Sequence, residues 1–187
     1  MKTQFPHAYV LNVLTDDHPG IVAAITRAVN LRGGNIDACS QTVVEGYFTL
    51  IMIISFAKPV KPDTLADEIR SDTKTGFQIV TREFVPPAPK PVRLVEQFVL
   101  TAFGKDKPGI VRRFSEYLAG KGINILDLFA HRQGDDFLLI GQIEIPAASD
   151  IALLQADLEQ IATKEAFTVK LQHENIFVAT NQLRLER

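Results

Sequence analysis

A chain of 187 residues with 20 Lys and Arg against 22 Asp and Glu, and a net charge of −2, has no basic stripe to neutralise a phosphate backbone, which argues against direct nucleic-acid binding. Cys39 is the only cysteine, so an intrachain disulfide is excluded, a cytoplasmic setting is expected, and the thiol is expected to serve as a small apolar side chain. Residues 1–10 lack the apolar core of a secretory signal and the longest apolar run, residues 48–56, is too short to cross a bilayer, so no membrane association is expected.

Residues 9–14, Tyr-Val-Leu-Asn-Val-Leu, read as a strand. Pro19-Gly20 then opens a helix whose Ile21, Ile25, Ala28 and Val29 recur at helical spacing, and Arg32-Gly33-Gly34 ends it. Residues 36–44 form a polar-tolerant strand, Glu45-Gly46 a turn, and residues 48–56 a β-prone apolar strand. Pro59 and Pro62 bracket the entry to a helix over 63–70, and residues 77–85 make a last strand. The pattern then repeats, with strands over 96–103, 124–132, 137–145 and 166–172 and helices over 109–120 and 149–163. The order βαββαβ, twice, predicts an α+β fold of two tandem ferredoxin-like domains, each an antiparallel four-stranded sheet with both helices on one face.

The repeat is a duplication at an offset of 89 residues. Asp17-His-Pro-Gly-Ile-Val22 recurs as Asp106-Lys-Pro-Gly-Ile-Val111, and Gly33-Gly-Asn-Ile36 as Gly122-Ile-Asn-Ile125. Between Tyr9 and Ile36, ten of 28 aligned positions are identical, where chance would supply roughly two. Phe48 lies over Phe137, Leu50 over Leu139, Leu65 over Leu154 and, after one inserted residue, Phe77 over Phe167. The expected domains are 1–85 and 94–187, joined by a proline-rich linker over 86–93 with four prolines between Pro86 and Pro91. Residues 175–178 are expected to extend the second sheet, and the last residues to fray.

Each copy alone would hold a modest core, so mutual packing or a homodimer is expected. The third strands differ. In the second copy Phe137, Leu139, Ile143 and Ile145 alternate with outward Gln142 and Glu144, whereas in the first Thr49, Ile51 and Ile53 make the outer face apolar as well. Either β-propensity alone favours those isoleucines, or another protein surface covers them.

The Asp-x-Pro-Gly-Ile-Val segment has a physical logic of its own. Asp17 and Asp106 are positioned to cap or electrostatically favour a helix start, proline fits a first turn, and glycine leaves the next amides uncovered. Free amides at a helix N-terminus attract carboxylates and phosphates, although the same residues also make a sound strand-to-helix turn with no ligand.

These paired motifs resemble those of ACT domains, and a tandem pair of this length is similar to the glycine cleavage system transcriptional repressor family; the resemblance covers about residues 7–172. It implies two regulatory modules that bind a small molecule, typically an amino acid, between the strand-to-helix loop of one domain and the facing second strand of a neighbour. It further implies a protein partner such as a transcription regulator. The positions carried over by motif are Asp17, His18, Gly20, Ile21, Asn35 and Ile36, and in the second copy Asp106, Lys107, Gly109, Ile110, Asn124 and Ile125. The loops are not equivalent, because the first reads Asp16-Asp17-His18 and the second Lys105-Asp106-Lys107. Lys105 and Lys107 therefore make the second copy the expected better anion site.

No other constellation points to chemistry. His7, His18, His131 and His173 are scattered without metal-ligand spacing, Gly104-Lys105 lacks the phosphate-loop frame, and no nucleophile elbow occurs. Asp135-Asp136 falls in a predicted hairpin turn, where solvated aspartates are ordinary. No cofactor, metal or enzymatic activity is expected. An RNA-binding module shares the fold order, but residues 47–52 and 136–141 lack its aromatic and basic pattern. A purely oligomerising role without ligand is the other alternative.

Overall fold

The computed structural model describes residues 2–73, 76–88 and 94–182, and the chain divides into two units, Met1–Pro89 and Lys90–Arg187. The first runs β1 (His7–Asp16), α1 (Ile21–Leu31), β2 (Asn35–Val44), β3 (Tyr47–Phe56), α2 (Pro62–Thr73) and β4 (Gln78–Glu83). The second runs β5 (Val95–Lys105), α3 (Ile110–Gly120), β6 (Asn124–Gln133), β7 (Asp136–Pro146), α4 (Ile151–Lys164) and β8 (Phe167–His173), followed by α5 (Glu174–Gln182). Both sheets are antiparallel, ordered β2-β3-β1-β4 and β6-β7-β5-β8. The duplicated βαββαβ fold is therefore present as the pattern of residues predicts.

Each unit has its own core on the helix-bearing face of its sheet. In the first, Tyr9, Leu11 and Val13 of β1 and Leu50, Met52 and Ile54 of β3 meet Ile21, Ile25 and Val29 of α1 and Leu65 and Ile69 of α2. In the second, Leu100, Leu139 and Ile143 meet Phe114 and Leu118 of α3 and Leu154 and Leu158 of α4. Burying each such side chain contributes about 1.5–3 kcal/mol. Register follows, since a one-residue slip would turn these rows to solvent.

Three expectations need correction. Residues 175–178 do not extend the sheet but lie in α5, which packs against β5 and β8. The Glu174 carboxylate accepts from Gln142 Nε2 at 2.8 Å and the Asn175 amide donates to His173 Nδ1 at 3.3 Å, turning the chain off β8 onto the outer sheet face, so packing overrides the β-propensity of Ile-Phe-Val. Cys39 is exposed rather than apolar filling, because it sits on the edge strand β2. The contrast between the two outer faces also fails. Ile51 is exposed and Ile53 half-buried in the first copy, but the second copy places Ile140 beside Thr101 and Phe129, and Leu138 beside Phe103 and His131. Phe103 and Phe129 are 49% and 54% exposed. In the proline-rich segment, residues 86–88 are exposed without regular structure. Residues 89–93 of the expected linker and the expected frayed end over 183–187 lie outside the described residues.

A polar cluster ties the helix layer of the second unit. Tyr117 Oη donates to Asp157 at 2.9 Å, Lys121 Nζ pairs with the same carboxylate at 3.1 Å and stands 5.4 Å from the Tyr117 ring centre. Burial, then the hydrogen bond to the Asp157 carboxylate, pushes the Tyr117 hydroxyl from 10.0 up to about 12. The folded state thus holds this proton more tightly than the unfolded one, and the contribution is complete below pH 10 and lost as pH rises through 12. Tyr117→Phe is expected to flatten the fall of stability over that window, as read by denaturant melts of both proteins in the same alkaline buffers. An unchanged slope would contradict the cluster.

Candidate functional site

Each strand-to-helix turn is pinned to the neighbouring hairpin. The Asp17 amide donates to Gly46 O and the Asp106 amide to Asp135 O, both at 2.8 Å. The helices are capped by Gly20 and Gly109 with no side-chain hydrogen bond, so the two aspartates do not cap them, and Pro19 and Pro108 precede the cap instead of opening the first turn. Both glycines are left-handed, with φ of 97° and 89°. That conformation explains the glycine at both positions without a ligand. A valine there would be strained as well as obstructive, so Gly20→Val and Gly109→Val are poor tests of binding.

The first turn opens on a cleft of about 360 Å³. Asp17, His18, Gly20 and Ile21 form one wall; Gln41 and Val43 of β2 with Phe48 of β3 form the other. The first helical amide to bond back is that of Ala24, to Gly20 O at 2.9 Å. The amides of Ile21, Val22 and Ala23 have no partner within the helix. His18 Nδ1 lies 3.1 Å from Pro19 O, an arrangement in which the protonated nitrogen donates to the carbonyl. The opposite wall is this domain's own second strand, a difference from the neighbour's strand implied by resemblance. Gln41 and Val43 escaped sequence reasoning, because a register shift between Ile36 and Ala38 changes the phase of β2, after which Cys39, Gln41 and Val43 pair with the core-facing Met52, Leu50 and Phe48.

Asn35 and Ile36 lie elsewhere. They border a separate opening with Thr26, Asn30 and Gly34, and Asn35 Nδ2 donates to Asp37 Oδ1 at 3.0 Å.

The second turn is built around ion pairs. Lys105 Nζ lies 2.8 Å from Asp136 Oδ1 and Arg132 Nε 3.3 Å from Asp106 Oδ2. The hydrogen bond and charge of Asp136 raise the Lys105 pKa. Lys105 is thus engaged with Asp136, which is not merely a solvated turn residue, and the expected preference for anions rests on Lys107. The Ile110 amide donates to Lys107 O at 3.4 Å, which tightens this turn. Asn124 Nδ2 donates to Glu144 Oε2 at 3.3 Å. Ile125 points away from the turn, where with Leu100, Phe114 and Leu128 it lines an apolar void of about 10 Å³. Such a space is at most the size of one water and takes no ligand.

Among the described residues no group of three or more His, Cys, Asp or Glu gathers as around a metal ion, and no helix is long and apolar enough to cross a membrane.

The ACT domain is matched at residues 7–80 and again at 96–172. A UPF0237 protein of Methanococcus maripaludis is 36% identical over 84 residues, which are 44% of this chain and 93% of that protein, a single copy's length. The glycine cleavage system transcriptional repressor of Escherichia coli is 24% identical over 172 residues, 88% of each chain. The crystal structure of an unknown protein from Galdieria sulphuraria shares the fold with a TM-score of 0.70 at 22% identity, over 89% of this chain and 98% of that one. With two matches that together span most of its length, the chain belongs to the ACT-domain family and carries the domain twice.

Proposed function

We propose that this chain is a non-catalytic regulator that binds an amino acid through its first ACT domain and signals to a protein partner, as a transcriptional co-regulator of glycine cleavage in the cytoplasm. The observation that carries the reading is the cleft at the first turn. A ligand carboxylate meets the free amides of Ile21, Val22 and Ala23 at the positive end of α1. Asp17 on the same rim receives the ammonium group, while Val43 and Phe48 supply apolar contact. A zwitterion therefore gains at both ends, whereas a plain carboxylate meets Asp16 and Asp17 unfavourably. The likeness to the repressor supports a regulatory role, and the apolar outer sheet faces support a homodimer.

A thermal-shift panel of amino acids tests the reading. At a ligand concentration near 100 times Kd, stabilisation of about 2.7 kcal/mol is expected. Acetate and propionate should give none, and Val43→Trp, which fills the cleft from an exposed position, should abolish the shift. A panel in which no amino acid raises the melting temperature would sink the proposal. The RNA-binding alternative draws support from exposed Phe103 and Phe129, the latter stacked on His131 with ring centres 6.1 Å apart. Single-stranded RNA belongs in the same panel for that reason.

A further inference from the structure

The outermost strands of an open sheet present unpaired backbone groups that invite another chain to add a strand. Each sheet here has two such edges, β2 and β4 in the first and β6 and β8 in the second. Helix side chains reach over one edge of each. From α2, Arg70 Nε and Nη2 lie 3.4 and 3.3 Å from the carbonyl oxygens of Phe77 and Ile79, along β4. From α4, Gln155 Oε1 accepts the Leu171 amide of β8 at 2.9 Å, and its own amide is held by Glu159.

Backbone groups in an antiparallel strand alternate between the neighbour and the outside. Those that Arg70 and Gln155 occupy belong to the outward series. The Phe84 amide, of the other series, goes to Ala8 O on β1 at 2.8 Å. The two devices were not inherited through the duplication. At the 89-residue offset Arg70 aligns with Glu159 and Gln155 with Ala66, and one device occupies carbonyls while the other occupies an amide. Two unrelated solutions at the same edge indicate a shared requirement.

Of the opposite edges, that of β2 is left open, whereas β6 carries Asp127, Arg132 and a register shift between Ile125 and Asp127. Positions 39–44 of β2 are all exposed, and residues 38–44 contain no charge, proline or glycine, the features by which free edges are normally blunted. A second copy of this chain therefore always brings a strand competent to pair with any unguarded edge. Were both edges of one sheet open, pairing of β2 on one copy with β4 on the next would be heterologous and would run on wherever the rotation between copies does not close a ring.

We infer that Arg70 and Gln155 close β4 and β8 to strand addition by a second copy of this chain, whose open β2 edge is otherwise competent to pair there. The inference shares with the proposed function only the idea of self-association and is independent of any ligand.

The test uses the full chain and the Arg70→Ala/Gln155→Ala double variant, followed by light scattering over a micromolar concentration series. The weight-average mass of the double variant should rise to about twice the wild-type value or more as concentration increases. Gln155→Glu combined with Glu159→Gln exchanges the donor and acceptor of the pair, retains the oxygen acceptor for the Leu171 amide and should behave as wild type. Amide exchange at Leu171 should quicken in dilute Gln155→Ala and slow again in the larger species. Wild-type mass at every concentration, with unchanged circular dichroism, would overturn the inference, as would growth of Gln155→Glu/Glu159→Gln equal to that of Gln155→Ala. Should the Arg70 change unfold its unit, Gln155→Ala alone decides by the same readings.

Discussion

Phe114→Ala is expected to cost the second domain about 3–5 kcal/mol, because a buried aromatic ring is lost and its surroundings cannot close over the gap. Phe114 is 1% exposed and sits between α3 and the strands of its sheet, already beside the small void that Leu100 and Leu128 line. Its partner in the repeat is Ile25, 0% exposed, where alanine should cost about 2–5 kcal/mol in the first domain. Against a total of about 5–15 kcal/mol, either loss is a large fraction. Calorimetry should show the melting transition of the altered domain falling by more than about 10 °C. A shift of only about 2 °C would mean that the helix is not seated as described.

Gly104→Ala should be the most damaging change that adds a single methyl. A Cβ at this position would stand 2.6 Å from Ala166 O, 2.7 Å from Phe167 Cγ and 2.8 Å from Phe167 Cα. Two of these three atoms are backbone, so relief requires β8 to move away from β5, with which Phe167 and Gly104 are in register. Ala166, directly at the contact, is already left-handed with φ of 60°. Overpacking of this kind costs about 1–3 kcal/mol and should lower the melting temperature of the second domain by about 5–15 °C. The aligned residue of the first copy is Thr15, which has a Cβ. There the pairing with β4 ends at Leu14 and Gln78, one residue short of Thr15, and Phe48 of β3 lies across from it on the other side. Thr15→Ala should be close to neutral, and a neutral Gly104→Ala would contradict the strand packing.

The fold was legible because it is written twice. Phe48 over Phe137 and Leu50 over Leu139 carry the same alternation, and Ile21, Ile25 and Val29 mark a helix face that Ile110, Phe114 and Leu118 repeat. What was not legible came from contacts between residues distant in sequence. The turn to α5 depends on Gln142 receiving Glu174, and the apolar outer face of the second sheet depends on register that brings Phe103, Leu138 and His131 into one row. The turn chemistry was half legible. Gly20 and Gly109 were identified, but their φ assigns them to backbone geometry and the caps to no side chain. The charge of Lys105 was readable and its fate was not, because Asp136 reaches it only once the hairpin has folded. Of the thirteen residues carried over by resemblance or charge, the first cleft gathers Asp17, His18, Gly20 and Ile21, while Asn35 and Ile36 border another opening and Ile125 faces the core.

The central claim is that the first Pro-Gly turn is a ligand site, and backbone amide NMR during titration with amino acids tests it most directly. The largest shift changes are expected at Ile21, Val22 and Ala23, whose amides are free to meet a carboxylate, and at Gln41 through Val43 across the cleft. Changes confined to Ile110, Val111 and Arg112 at the second turn, or no change with any amino acid, would contradict it.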